Sequence, residues 1–143
     1  MSDNRRTDYS YFTDITTRWM DNDIYGHVNN VAYYSYFDSV ANKYLIEEGK
    51  LDIHTADIIG FVVASNCQYQ SPIAYPQLIE AGLRVNRLGN SSVEYGIGIF
   101  QKEAVDASAM GTFTHVFVDR STDKSVPIPN QIRFALEVIL IKG

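Results

Sequence analysis

The sequence predicts an α+β fold in which an antiparallel sheet of about five strands wraps around one long central helix. The first observation behind this prediction is a single long and strongly apolar helical pattern, residues 31–48. The second is that apolar residues recur with a period of two from residue 58 onwards, which is typical of consecutive strands. A sheet of this kind leaves open edges and an apolar rim, so we expect a homodimer that covers them.

Size and composition fit one globular domain that spans residues 1–143. The net charge of −5 argues against nucleic acid as the main partner, because binding a phosphate backbone needs a basic face. Cys67 is the only cysteine, so no disulfide can form within the chain, which favours the reducing cytoplasm. The first eleven residues are polar and lack the apolar core of a secretory signal. The longest apolar run, residues 58–64, is too short to span a membrane, so we expect a cytoplasmic protein without a membrane partner.

The N-terminal half is predicted to be one strand followed by the helix. Residues 11–20 alternate between apolar or β-branched side chains and polar ones, which predicts the first strand. Either Asn29 or Asn30 can cap the helix, because an asparagine side-chain oxygen accepts from first-turn N–H groups. The apolar positions of residues 31–48 cover more than one stripe, so we expect the helix to be buried on most sides. Gly49 stands where helices commonly stop.

The rest of the chain is predicted to be four strands and a short helix. The strands are residues 58–69, 81–86, 93–99 and 112–119. Gly89-Asn90 is a hairpin signal between the second and third of these strands. Because the strands follow one another directly, we expect a meander. A Pro-Ile-Pro segment then leads into a short amphipathic helix, residues 130–141.

The loop between the first strand and the long helix is rich in polar groups. From Asp21 to Asn30 it carries two carboxylates, a glycine, a histidine and three asparagines. A simple turn needs fewer polar groups than this. The first turn of a helix offers free N–H groups and a partial positive charge. We therefore interpret the loop as a junction that directs a carboxylate at a substrate held over the start of the helix.

These residues resemble a known family. The family signature covers Asp21-x-Asp23-x-x-Gly26-His27-Val28-Asn29-Asn30-x-x-Tyr33. The pattern resembles hotdog-fold thioesterases of the 4-hydroxybenzoyl-CoA thioesterase-like class, and plant acyl-ACP thioesterases carry a similar His-Val-Asn-Asn run. Two weaker stretches agree with it, Arg87-x-Gly89-Asn90-Ser91-Ser92 and His115-Val116-Phe117-Val118-Asp119-Arg120. The resemblance implies a hotdog fold, thioester hydrolysis, and a homodimer or homotetramer with active sites at the subunit interface.

The resemblance also implies roles for the loop residues. Asp23 is the matching catalytic carboxylate, and would act as a general base on water or as a nucleophile. The backbone N–H at about Asn30 would polarise the thioester carbonyl. His27 would orient Asp23 or the thioester, or else be a buried loop histidine that bonds backbone across the junction. Asp21 is interpreted as capping a turn or pairing with Arg18.

Further residues are predicted to bind the substrate or shape its site. Gly26 is expected to adopt a positive φ or to allow a close backbone approach. Asn29 is expected to cap the helix and touch substrate, and Tyr33 to line an acyl pocket. For the CoA part of the substrate the candidates are Arg87, Asn90, Ser91 and Ser92. We expect no metal and no cofactor apart from CoA within the substrate, because sulfur already activates the thioester.

The sequence therefore predicts an acyl-CoA thioesterase that releases a free carboxylate and CoA. Two alternatives stay open. One is an acyl-ACP thioesterase, although the plant enzymes usually have an asparagine where this chain has Tyr25, and an acidic carrier would favour a basic rim. The other is a hotdog module that binds acyl-CoA without catalysis.

Overall fold

The structure is a computed structural model that describes residues 4–141. Over these residues the fold has two helices and five strands, with short 3-10 turns at Arg6–Asp8 and Trp19–Asp21. The helices are α1 (Asn30–Glu47) and α2 (Asn130–Val138). The strands are β1 (Tyr11–Thr16), β2 (Ile58–Tyr69), β3 (Leu78–Leu88), β4 (Ser92–Gln101) and β5 (Ala109–Asp119).

The five strands form one antiparallel sheet in the order β1-β3-β4-β5-β2. Only β3, β4 and β5 are a meander, and the Gly89-Asn90 turn joins β3 to β4 as predicted. The expected meander is wrong for β2. This strand pairs with β5, from Ile58 opposite Asp119 to Tyr69 opposite Ala109, and it forms one edge of the sheet. Residues 70–77 then carry the chain across to β3.

Helix α1 lies against one face of the sheet and forms the core with it. Its inward side chains are almost completely buried, and they are Tyr33, Tyr36, Phe37, Val40, Ala41, Tyr44 and Leu45. A long helix packed on a five-stranded antiparallel sheet is the hotdog architecture that the resemblance implies, so this prediction is confirmed. The expectation that α1 is buried on most sides is wrong for the single chain, because Val31 is 70% and Ile46 41% exposed.

Strand β1 ends at Thr16, earlier than the predicted residue 20. The chain turns at Trp19–Asp21, where the Asp21 carboxylate accepts the backbone N–H of Arg18 at 2.9 Å. Trp19 lies in this turn and not in the strand, and it is 75% exposed. An aspartate that bonds nearby backbone N–H groups competes with strand pairing, so the turn replaces the end of the predicted strand.

The ends of α1 follow local sequence signals. Asn29 is the N-cap, and its side-chain oxygen accepts the N–H of Val31 at 3.0 Å. Asn30 is therefore the first helical residue and does not cap. Gly49 follows the last turn as predicted, and a Cβ atom there would lie 2.7 Å from the carbonyl oxygen of Leu45. The absence of a side chain is what lets the backbone close on the helix at this point.

Helix α2 ends at Val138, before the predicted residue 141. The following residues straighten and bond to β3, where the Ile141 N–H donates to the Val85 carbonyl at 2.9 Å. This backbone bridge competes with a further helical turn. Neither helix described between residues 4 and 141 is long and apolar enough to cross a membrane.

Candidate active site

Asp23 lies in a tight turn that its own backbone and side chain hold together. The Asp23 N–H donates to the His27 carbonyl at 2.9 Å, and the Gly26 N–H donates to the Asp23 carbonyl at 3.1 Å. The carboxylate oxygen Oδ1 accepts the N–H of Tyr25 at 2.9 Å and that of His27 at 3.5 Å. Gly26 has φ +82°, which is the positive φ predicted for it. These bonds fix the position of Oδ1, whereas within residues 4–141 Oδ2 accepts no hydrogen bond.

The loop is also attached to its neighbours. The N–H of Val28 donates to the carbonyl of Ile73, and the N–H of Asn29 donates to that of Asp21, both at 2.7 Å. The first bond joins the loop to the segment that leads from β2 to β3. Because backbone bonds tie the loop on both sides of His27, the turn before the helix is a fixed part of the fold.

Asp21 is buried, and its carboxylate is hydrogen-bonded by other residues of the protein. It is 3% exposed and accepts from the Arg18 guanidinium at 2.9 and 3.1 Å and from the Tyr36 hydroxyl at 2.8 Å. Burial raises the pKa of this carboxyl, but the hydrogen bonds from Arg18 and Tyr36 outweigh burial and leave the pKa below its usual value. The interpretation of Asp21 as the partner of Arg18 is confirmed.

A cavity of about 280 Å³ opens between the start of α1 and the end of β2. Its lining residues are His27, Val28, Asn30, Tyr33, Tyr69, Gln70, Ser71 and Pro72. The hydroxyl of Tyr69 lies 3.4 Å from the carbonyl oxygen of Asn30, and the rings of Tyr33 and Tyr69 meet edge to face at 5.1 Å. The cavity thus joins the first turn of the helix to two tyrosine rings.

The predicted loop residues divide into two groups around this cavity. His27, Asn30 and Tyr33 line it. Asp23, together with Gly26 and Asn29, belongs to the same loop but not to the lining residues, and Asp23 is half-buried. The alternative of a buried His27 is wrong, because its side chain is exposed, although its backbone does bond across the junction.

The sequence-based prediction did not include residues Tyr69–Pro72, which form one wall of the cavity. A usable signal exists, because β2 is antiparallel to β5 and its last residues return to the start of α1. Only a short connection separates the end of α1 at Glu47 from the start of β2 at Ile58. A helix and a strand joined this way run in opposite directions, so the end of the strand comes back to the start of the helix.

The second group of predicted residues lies at the opposite end of the sheet. Strand β3 starts at Leu78, beside the loop, and runs 11 residues to the turn, which separates the two groups by about 30 Å within one chain. Arg87 is 80% exposed, 3.7 Å from Glu94. The carbonyls of Gly89 and Asn90 accept from the Arg133 guanidinium at 2.7 and 3.0 Å. One chain therefore does not bring Arg87, Asn90, Ser91 and Ser92 to the cavity.

A family model of the thioesterase-like superfamily matches residues 17–136, which covers both the loop and the sheet. The chain belongs to the thioesterase-like superfamily. Membership agrees with the hotdog fold described above and supports a thioester hydrolase. Two curated relatives match the chain, and the stronger coverage is to the long-chain acyl-CoA thioesterase FadM of Escherichia coli. That match is 29% identical over 128 residues and covers 87% of this chain and 96% of FadM.

The chain is also similar to a second curated protein and to solved structures. The uncharacterized protein YsmA of Bacillus subtilis is 23% identical over 88 residues, and the match spans 62% of this chain but 59% of YsmA. The crystal structure of the PA5185 protein from Pseudomonas aeruginosa is 53% identical, with a TM-score of 0.94 and 95% of each chain covered. PA2801, a putative thioesterase from the same species, is 30% identical with a TM-score of 0.80, over 87% of this chain and 96% of that one.

Proposed function

We propose that the protein is an acyl-CoA thioesterase, which hydrolyses an acyl-CoA to a free carboxylate and CoA. The proposal rests on the position of Asp23. Its turn comes directly before the capped start of α1, and the first turn of α1 borders the cavity. One carboxylate oxygen is fixed by backbone N–H groups, and the other is unpartnered within residues 4–141. A carboxylate held in this way is oriented and still free to take a proton or attack a carbonyl carbon.

Asp23 is proposed as the catalytic carboxylate. As a general base, Oδ2 would take a proton from water while the water oxygen attacks the thioester carbon, and the thiolate of CoA would leave. As a nucleophile, Oδ2 would attack that carbon, expel the thiolate and form a mixed anhydride that water then hydrolyses. Both routes balance without a metal or a further cofactor, and we propose that none is required.

The start of α1 is proposed to stabilise the negative charge that develops on the thioester oxygen. The N–H of Val31 already donates to the Asn29 side chain. The N–H of Asn30, which the sequence predicts as the donor to the thioester oxygen, is left for this role. The positive end of the helix dipole adds to this stabilisation. His27 lines the cavity with an exposed side chain and is proposed to orient the thioester.

A homodimer through β2 would unite the two groups of predicted residues. Strand β2 has one partner within residues 4–141, namely β5, so its other edge is open. Phe61, Val62 and Val63 on this strand are 60%, 39% and 52% exposed. Two β2 strands paired antiparallel about a two-fold axis would place the Gly89-Asn90 end of one sheet beside the cavity end of the other. We propose that Arg87, Asn90, Ser91 and Ser92 bind the CoA held in the partner's cavity.

The test of the proposed activity is thiol release from short, long and aromatic acyl-CoAs by the parent and by Asp23→Asn. We expect the substitution to lower kcat by about 10²- to 10⁴-fold with little change in melting temperature. Asp14→Asn is the matched control, because it removes the same charge from a carboxylate paired with Lys102 at 3.1 Å on the surface. Equal rates for the parent and Asp23→Asn would contradict the proposal.

Thiol release from a matched acyl-ACP, together with a measurement of acyl-CoA binding, decides between the alternatives. Faster hydrolysis of an acyl-ACP than of the matched acyl-CoA would identify the acyl-ACP thioesterase. Tight binding of acyl-CoA with no thiol released over hours would identify the non-catalytic module. Each of these outcomes rejects the acyl-CoA thioesterase and keeps the fold.

The shared site predicts complementation. We expect Asp23→Asn and Arg87→Ala each to lower kcat/KM as pure dimers, because one removes the base and the other a contact to CoA. Co-expression with two different tags yields mixed dimers of the two variants. In one of their two sites, a native Asp23 from one chain meets a native Arg87 from the other. Such dimers should recover about half of the parental rate. No recovery would contradict a site shared between subunits.

A further inference from the structure

Tyr33 combines almost complete burial with a hydroxyl that bonds nothing within residues 4–141. The residue is 3% exposed and lines the cavity. Within residues 4–141 its hydroxyl makes no hydrogen bond. Over the same residues, no side-chain nitrogen or oxygen that is sealed from solvent lacks a partner. The Tyr33 hydroxyl is therefore not sealed from solvent, and Tyr33 is one of the residues that line the cavity.

The other buried tyrosines of α1 behave differently. The hydroxyl of Tyr36 donates to Asp21 at 2.8 Å, and that of Tyr44 donates to the carbonyl of Ala135 at 2.6 Å. Both hydroxyls are used to hold the fold together. Of these three hydroxyls, that of Tyr33 is the one without a partner in the described part of the chain, and a phenylalanine at this position would fill the same space.

The position of Tyr33 places this hydroxyl on the acyl side of the proposed site. Tyr33 is three residues after Asn30, which is about 4.5 Å further along the helix axis. Its ring contacts the ring of Tyr69 at 5.1 Å, so both rings would stand beside an acyl group whose carbonyl is held at Asn30. Burial raises the pKa of Tyr33 to about 12, which keeps the hydroxyl protonated and able to donate at neutral pH.

We propose that the Tyr33 hydroxyl selects acyl groups that carry an oxygen on the carbons beyond the thioester carbonyl. This inference rests on the proposed thioesterase function and names its substrate class as oxygenated acyl-CoAs. An acyl group with a hydroxyl or keto oxygen can accept the hydrogen bond from Tyr33. A plain alkyl chain would exclude water from this hydroxyl without replacing the lost hydrogen bond, which is unfavourable for a buried polar group.

The test compares kcat/KM for octanoyl-CoA with that for hydroxyoctanoyl-CoA isomers that carry the hydroxyl on carbon 3, 5 or 7. We expect the parent to prefer at least one isomer by about tenfold or more, as for one buried hydrogen bond. Tyr33→Phe should reduce the rate on that isomer and raise the rate on octanoyl-CoA, so that the preference is lost. Tyr36→Phe is the matched control, because its hydroxyl bonds Asp21 and faces no substrate, and it should keep the parental ratio.

The outcomes separate this proposal from the proposed function. If the parent hydrolyses no acyl-CoA at all, the thioesterase proposal fails. If the parent is active but its ratios equal those of Tyr33→Phe for every isomer, the proposal for Tyr33 is wrong and the thioesterase proposal stands. Loss of the preference in Tyr36→Phe as well as in Tyr33→Phe would also overturn it, because the effect would then not depend on the free hydroxyl.

Discussion

Two short turns precede helix α1, and each contains an aspartate whose carboxylate accepts at least one backbone N–H of its own turn. In the turn of residues 18–21, Asp21 is 3% exposed, and both of its oxygens accept hydrogen bonds from Arg18 or Tyr36. In the turn of residues 23–27, Asp23 is half-buried, and the bonds found in residues 4–141 all reach Oδ1. The two carboxylates are two positions apart in one motif and have opposite environments.

The two aspartates therefore differ in how much of their hydrogen-bonding capacity the fold uses. Asp21 connects the loop to the buried face of the helix through Tyr36, so its hydrogen-bonding capacity is used by the fold. Asp23 uses Oδ1 to fix its turn, and within residues 4–141 its Oδ2 accepts no hydrogen bond. A carboxylate with all its positions occupied cannot accept a proton from substrate water without breaking the fold, which makes Asp21 unsuitable as a base and Asp23 suitable.

The largest expected effect on stability contrasts the two aspartates directly. Asp21→Ala should lower the free energy of unfolding by about 2–3 kcal/mol, because it leaves the buried Tyr36 hydroxyl without its acceptor and removes the Arg18 contact. Asp23→Ala should cost less than about 1 kcal/mol, because its side chain bonds only exposed backbone groups. Urea denaturation monitored by circular dichroism measures both. Equal losses for the two variants would remove the distinction between the turns.

A smaller effect is expected from the tyrosine that joins the first turn to the helix. Tyr36→Phe removes the hydrogen bond to Asp21 at 2.8 Å and should cost about 1 kcal/mol. Tyr33→Phe is the matched control, since it removes a hydroxyl that bonds nothing within residues 4–141, and its unfolding free energy should stay close to the parental value. The same denaturation experiment applies. A larger loss for Tyr33→Phe than for Tyr36→Phe would contradict the roles given to the two hydroxyls.

The smallest effect concerns the pH dependence of stability. The folded protein holds the pKa of Asp21 below its usual value of 3.8, so the unfolded chain binds this proton more readily. The resulting stabilisation is fully present above that pH and is lost as the pH falls through the lower folded pKa. Asp21→Asn should therefore flatten the decline of unfolding free energy below about pH 4. An unchanged acid slope would show that the Asp21 carboxyl titrates alike in both states.

Local signals in the sequence located most elements and the loop. The helix start at Asn29 and Asn30, the glycine after its end, the whole of β2 and the Gly89-Asn90 turn all depend on side chains within a few residues of one another. The prediction failed for the end of β1, where the Asp21 side chain captures the backbone of Arg18. It also failed for the end of α2. The residues after Val138 do not continue the helix but bond to β3.

The amino-acid sequence by itself determined the α+β class, the single long helix, its cap and the polar loop before it, because periodicity, capping and turn formation are properties of neighbouring residues. Only the tertiary structure decided that β2 pairs with β5, that Tyr69 closes the cavity over Asn30, and that the Arg87–Ser92 turn lies at the far end of the sheet. Strand pairing and cavity walls join residues distant in the chain, and any alternating strand satisfies the same local pattern.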